Sequence, residues 1–176
     1  ELQGDALYDV LSGLVKGNHL RRHATGIYTI SEKTFSDDDL IVARYLKRYG
    51  HRIGFLRGAS YAGMLGLADK PTAWHIATNK ESFKTANRKT RFLGKDIHIK
   101  GMPVEITDKN YIVLEAVDFL VQYKQCTTLP VDEVITAVRR HLIEENGGKL
   151  PERKQFDELI NGYRTANIRT MMTRLI

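Results

Sequence analysis

The segment Asp5–Ile30 constrains this chain more than any other stretch. Leu7, Val10, Leu11, Leu14 and Val15 recur at the i, i+3, i+4, i+7 and i+8 spacing that gives a helix one apolar face. Gly17 and Asn18 can end that helix, since both tolerate the left-handed cap conformation. Two short extended runs follow, His19–Arg22 and Gly26–Ile30, joined by His23, Ala24 and Thr25. The order is therefore helix, then small basic hairpin, with His19, Arg21, Arg22 and His23 expected to point outward.

This order matches the back half of a winged helix-turn-helix, in which a reader helix lies in a DNA groove and a basic wing meets the flanking phosphates. Lys16, His19, Arg21, Arg22 and His23 are the candidate DNA contacts, while Asp5 and Asp9 on the same helix would repel phosphate. The sequence opens in or just before the expected reader helix and has no initial Met, so we expect a trimmed piece whose first two helices are missing.

The whole-chain balance agrees with a polyanionic partner. Lys and Arg total 27 against 21 Asp and Glu, a formal charge of +6 with a pI near 9.4. A single cysteine, Cys126, allows no internal disulfide and no thiolate cluster, which suggests a reducing, cytoplasmic setting. No apolar run approaches the roughly 18–20 residues of a membrane span, so no membrane partner is expected.

Beyond the hairpin, Ser36 caps a helix opened by Asp37, Asp38 and Asp39 and expected to run to Tyr49. Extended residues 52–56 lead to a short small-residue helix within 57–67, and Ala73–Asn79 alternates as a half-buried strand. Residues 80–91 are expected to form an exposed loop or hairpin tip, and their Lys80, Lys84, Arg88, Lys89 and Arg91 are a second candidate contact for nucleic acid or an acidic partner. Asp96–Lys100 is a period-two strand, Val104–Thr107 a candidate return strand, and the sheet is expected to be antiparallel. The last third is helical, with stripes at Val113, Ala116, Val117, Leu120 and Val121, and at Val131, Val134, Ile135, Val138 and Leu142. Helices over about 152–162 and around Ile168, Met171, Met172 and Leu175 follow. The fold class is therefore α+β: a partial winged helix over residues 1–34, then a mixed domain over 35–176.

The residues give little sign of catalysis. Gly58-Ala59-Ser60 echoes the Gly-Ser that opens a nucleotidyltransferase site, but the following strand, Trp74-His75-Ile76-Ala77, lacks the two carboxylates that would hold magnesium. Asp96-Ile97-His98-Ile99-Lys100 followed by Glu105 is a poor match to a restriction-type nuclease. The six histidines show no metal-ligand spacing, and no P-loop or dinucleotide glycine pattern occurs. We expect no cofactor, no metal and no enzymatic activity.

Three stretches, LSGLVKGNHLRRHATGIYTI, RGASYAGMLGLADKPTAWHIATN and RFLGKDIHIKGM, resemble the AbiEi-like antitoxins of type IV (abortive-infection) toxin–antitoxin systems. The first stretch matches at Leu11, Leu14, Gly17, Arg22, Gly26 and Tyr28. The second matches at Gly58, Ala59, Ala62, Leu65, Gly66, Leu67, Thr78 and Asn79. The resemblance spans residues 5–121 and rests mainly on structural glycines and apolar positions. It implies a DNA-binding autorepressor of a phage-defence operon, with operator DNA as one partner. The other implied partner is a cognate nucleotidyltransferase-like toxin, neutralised by the C-terminal domain. The alternatives are a protein-interaction module of a defence system that binds no DNA, or a nucleic-acid-processing enzyme with a dispersed site.

Overall fold

A computed structural model describes residues 4–79, 87–102, 104–160 and 166–175. They form a mixed α+β protein of two compact units, one ending at Arg44 and the other beginning at Tyr45. None of its described helices is long and apolar enough to cross a membrane.

The first unit opens with α1 (Gly4–Lys16), followed by an antiparallel hairpin of β1 (Leu20–Ala24) and β2 (Ile27–Ile30). Helix α2 (Asp37–Ile41) starts at the expected place. Ser36 accepts from the Asp39 amide, and the Asp39 carboxylate accepts from the Ser36 amide, a reciprocal capping box. That hydrogen bonding holds the Asp39 carboxyl below its usual range.

The helix does not continue to Tyr49. After Ile41 the backbone widens into a π-helical turn (Val42–Leu46) and then doubles back as a two-stranded hairpin, β3 (Lys47–Arg48) and β4 (His51–Arg52). Tyr49 and Gly50 form its tip, both with positive φ. The Asp108 carboxylate anchors the returning strand by accepting from the Arg52 amide at 2.7 Å and lying 2.8 Å from His51 Nδ1.

The second unit centres on a four-stranded sheet of β5 (Gly54–Leu56), β6 (Trp74–Thr78), β7 (Arg88–Phe92) and β8 (Lys95–Gly101), in the order β5-β6-β8-β7. It is mixed, not antiparallel as expected. From β6 the chain passes to the outer position, β7, and returns by a hairpin into the gap beside β6, so β8 runs parallel to β6. The expected return strand at 104–107 is absent. Asn79 pairs with Ile106 there instead, its Nδ2 donating to the Ile106 carbonyl and its Oδ1 accepting the Ile106 amide. One side-chain amide thus satisfies the backbone groups that a neighbouring strand would have taken.

Helix α3 (Gly58–Met64) links β5 to β6, and α4 (Tyr111–Gln122), α5 (Val131–Glu145), α6 (Arg153–Ile160) and α7 (Ala166–Leu175) complete the unit. Helix α4 is buried on every side from Ile112 to Leu120, as a helix surrounded by other elements must be. Only Val121, read as part of its apolar stripe, is exposed. Val134, Leu142, Phe156, Met172 and Leu175 share a core with its Phe119, while Phe55, Ala77 and Ile106 join its Leu114 to the sheet. Gly147 and Gly148, both at positive φ, follow the end of α5.

Two acids on α4, Glu115 and Asp118, are buried one turn apart and grip consecutive residues of the β5–α3 junction. Glu115 accepts from the Leu56 amide at 2.9 Å and lies 3.3 Å from His141 Nε2, while Asp118 accepts twice from the Arg57 guanidinium at 2.8 and 2.9 Å. Burial pushes the Glu115 carboxyl above its ordinary value of 4.5, against the opposing pull of His141 and the Leu56 amide. The folded protein then holds that proton more tightly than the unfolded chain. Glu115 therefore subtracts stability as pH rises from about 4.5 through its raised value. Glu115→Gln keeps an acceptor for Leu56 and removes the charge. Its stability relative to the parent, measured by urea unfolding at a series of pH values, is expected to climb across that window; a flat difference refutes this.

Candidate nucleic-acid interface

Helix α1 ends in a way that launches the hairpin. Asn18 adopts the left-handed conformation (φ 59°), its amide donating to Val15 and that of His19 to Leu14. These are the two bonds of a Schellman cap, with Asn in the place usually held by glycine. The chain then turns into β1, and Ser31 donates back to the His19 carbonyl to close the base of the hairpin. The tip is Thr25-Gly26, with Gly26 at φ 73°, and the Arg44 guanidinium donates to the Thr25 carbonyl at 3.4 Å. The strands are thus offset from the expected runs by one or two residues, because the register slips at His23.

Lys16, His19, Arg21 and Arg22 are exposed. His23 is not carried outward. It is half-buried, with Nε2 2.8 Å from Thr29 Oγ1, so its ring is tied to the neighbouring strand. Arg21 sits opposite Thr29 and Arg22 opposite Tyr28, and adjacent strand residues face opposite sides. The two arginines therefore leave the ribbon on different faces and can reach separate phosphates. No carboxylate occurs between Gly17 and Ser31, so the hairpin presents one sign of charge.

Helix α1 itself leaves Leu7, Tyr8, Val10 and Leu14 exposed, at 45, 57, 48 and 37%. Leu11 and Val15 are half-buried. The side chain of Asp5 lies outside the described residues; Asp9 is exposed.

The second basic group is divided. Lys80 and Lys84 lie outside the described residues, whereas Arg88, Lys89 and Arg91 belong to β7 and are exposed. They are part of a strand and not the expected loop, because residues 88–92 pair along the whole of 95–99. Arg91 also donates to the Gly94 carbonyl at 3.1 Å in the turn that follows. Of the arginines at 164, 169 and 174, the first two side chains fall outside the described residues, and Arg174 pairs with Asp132 on α5.

Sequence reading missed the β3–β4 hairpin, whose tip carries Tyr49 at 88% exposure with the Arg48 guanidinium 5.3 Å from its ring centre. The signal was the Tyr-Gly pair, since glycine in the second tip position favours a two-residue turn. Gly58-Ala59-Ser60 does open α3, and Ser60 Oγ accepts the His75 amide at 2.8 Å. Strand β6 carries His75 and Ala77 on one face and no carboxylate. No protein-family model matches this sequence, and no curated protein matches it.

Proposed function

We propose that the chain is an antitoxin-type DNA-binding autorepressor of a type IV toxin–antitoxin operon, acting without catalysis in the cytoplasm. On this reading α1 and the β1–β2 hairpin are the reader helix and wing of a winged helix, and the second unit neutralises a nucleotidyltransferase-like toxin. The observation that carries it is the exposed, acid-free hairpin capped directly onto α1, with Arg21 and Arg22 on opposite faces. A ribbon charged on both faces suits a position between two phosphate backbones, where contacts fix orientation without reading bases. The resemblance at Leu11, Leu14, Gly17, Arg22, Gly26 and Tyr28 adds the antitoxin part of the proposal.

The test is operator binding, followed by fluorescence anisotropy at 50 to 200 mM salt. Affinity is expected to fall steeply with salt. Arg21→Ala and Arg22→Ala should each reduce the slope of log K against log salt by about one, the loss of one phosphate contact. Slopes unchanged in both variants sink the wing assignment.

A second reading, a protein-interaction module, is favoured by the exposed Leu7, Val10 and Leu14 of α1. It requires co-purification with a neighbouring gene's product, lost in Val10→Lys, together with no salt-sensitive DNA binding.

A further inference from the structure

A polar strip on the sheet of the second unit is a different kind of site. Residues paired across neighbouring strands share a face, so Lys89, His98 and His75 line up across β7, β8 and β6. Lys100, two residues beyond His98, lies on the same face. The His75 and His98 rings meet edge to face with centroids 4.6 Å apart. Ser60 fixes this part of β6 by accepting the His75 amide, and Arg57 donates its own amide to the His75 carbonyl at 2.8 Å.

The charges on this strip do not balance. Lys100 Nζ stands 3.8 Å from Asp118, but that carboxylate already accepts two bonds from Arg57 and one from Gln122 Nε2 at 2.7 Å. Lys100 is therefore a second cation beside an acid that Arg57 has neutralised, and its side chain is 39% exposed. Lys89 is exposed, and the other acid on this face, Asp96, sits opposite Arg91. Arg57, Lys89, Arg91 and Lys100 thus stand against two carboxylates, Asp96 and Asp118, which leaves a surplus of positive charge beside the two imidazoles on a half-open surface. Such a surplus attracts an oxyanion. The strip is two strand spacings wide, about 10 Å, which is longer than one phosphate and suits a chain of them.

We propose that this strip binds the phosphate chain of a free nucleotide or of pyrophosphate, with Lys89 and Lys100 as point charges and the His75 and His98 rings as hydrogen-bond donors. Binding takes up protons. In the free protein burial, His98 and Arg57 in that order disfavour the His75 cation. The groups facing the imidazole pair are Arg57, Lys89, Lys100 and Arg91 as cations and Asp96 and Asp118 as anions; the Cys126 thiol near Gly58 is held neutral by burial. A phosphate chain adds negative charge beside His75 and so favours its protonated, doubly donating form.

The experiment is isothermal titration calorimetry of the whole chain with sodium pyrophosphate in EDTA, repeated with ATP and with a short single-stranded oligonucleotide. Saturable binding of pyrophosphate and ATP is expected, with an enthalpy that changes between buffers of different ionisation heat. Lys100→Ala and His98→Gln should each weaken it about tenfold without lowering the urea midpoint. Arg21→Ala should leave it unchanged, which separates this site from the hairpin. Silence with millimolar pyrophosphate, or binding indifferent to both Lys100→Ala and His98→Gln, overturns the proposal. So does binding of the oligonucleotide alone, which would make the strip part of a nucleic-acid surface.

Discussion

Arg57→Ala is expected to lower the stability of the second unit by about 3–5 kcal/mol, because it leaves a buried carboxylate without its cation. Asp118 is 2% exposed and takes both ends of the Arg57 fork in near-parallel bonds of 2.8 and 2.9 Å. Gln122 still donates to it in the variant, and Lys100 at 3.8 Å can close in, so the loss should fall toward the lower end of that range. The urea midpoint should drop with little change in the slope of the transition, since the same surface is exposed on unfolding. A second variant separates the unpaired charge from the loss of the pair itself. Arg57→Met combined with Asp118→Leu removes both charges, and should recover most of the stability that Arg57→Ala loses. A loss below about 1 kcal/mol in Arg57→Ala, the range of an exposed pair, would mean that this contact does not hold the β5–α3 junction.

The same pair shows where sequence reading stops. Arg57 and Asp118 are 61 residues apart, and nothing in either local context marks them as partners. What was legible is what local periodicity encodes: the apolar stripe of α1, the basic hairpin after it, and the Ser36 cap with its acidic first turn. What was illegible depends on distant pairing. The placement of β8 between β6 and β7 turns an expected antiparallel sheet into a mixed one, although each strand alone alternates as a strand should. The apolar spacing from Leu40 to Leu46 suggested a helix continuing to Tyr49, yet Asp108 captures His51 and the Arg52 amide from 57 and 56 residues away and favours a hairpin. The hairpin arginines were found because charge and turn chemistry are local. The strip of Lys89, His98 and His75 was not, because its members meet only once the register is known.

Gly54→Ala is expected to destabilise the second unit by about 3 kcal/mol or more, an unusually large effect for adding one methyl group. A Cβ at this position would stand 2.5 Å from the Ala77 carbonyl oxygen and closer still to that of Tyr45. Both obstacles are backbone, so no side-chain rotation relieves them. The Ala77 oxygen belongs to β6, which pairs with β5 through Gly54 and Thr78, Phe55 and Ala77, and Leu56 and Ile76. Moving it would part the strands just where Phe55 and Ala77 join the sheet to Leu114 of α4. The Tyr45 oxygen lies in the π-helical turn that feeds the β3–β4 hairpin, so yielding on that side disturbs the packing of Tyr45 against Phe92, whose rings meet edge-on at 5.9 Å. Close approach of two backbones is thus the reason for glycine here, as a strand interior otherwise disfavours it. Gly13→Ala is the control. It sits within α1 with nothing within 4 Å of an added Cβ, so the same substitution should stabilise that helix by about 0.5–1 kcal/mol. Thermal unfolding of the two variants beside the parent should move in opposite directions, and a Gly54→Ala protein that melts with the parent would show that β5 does not lie this close to its neighbours.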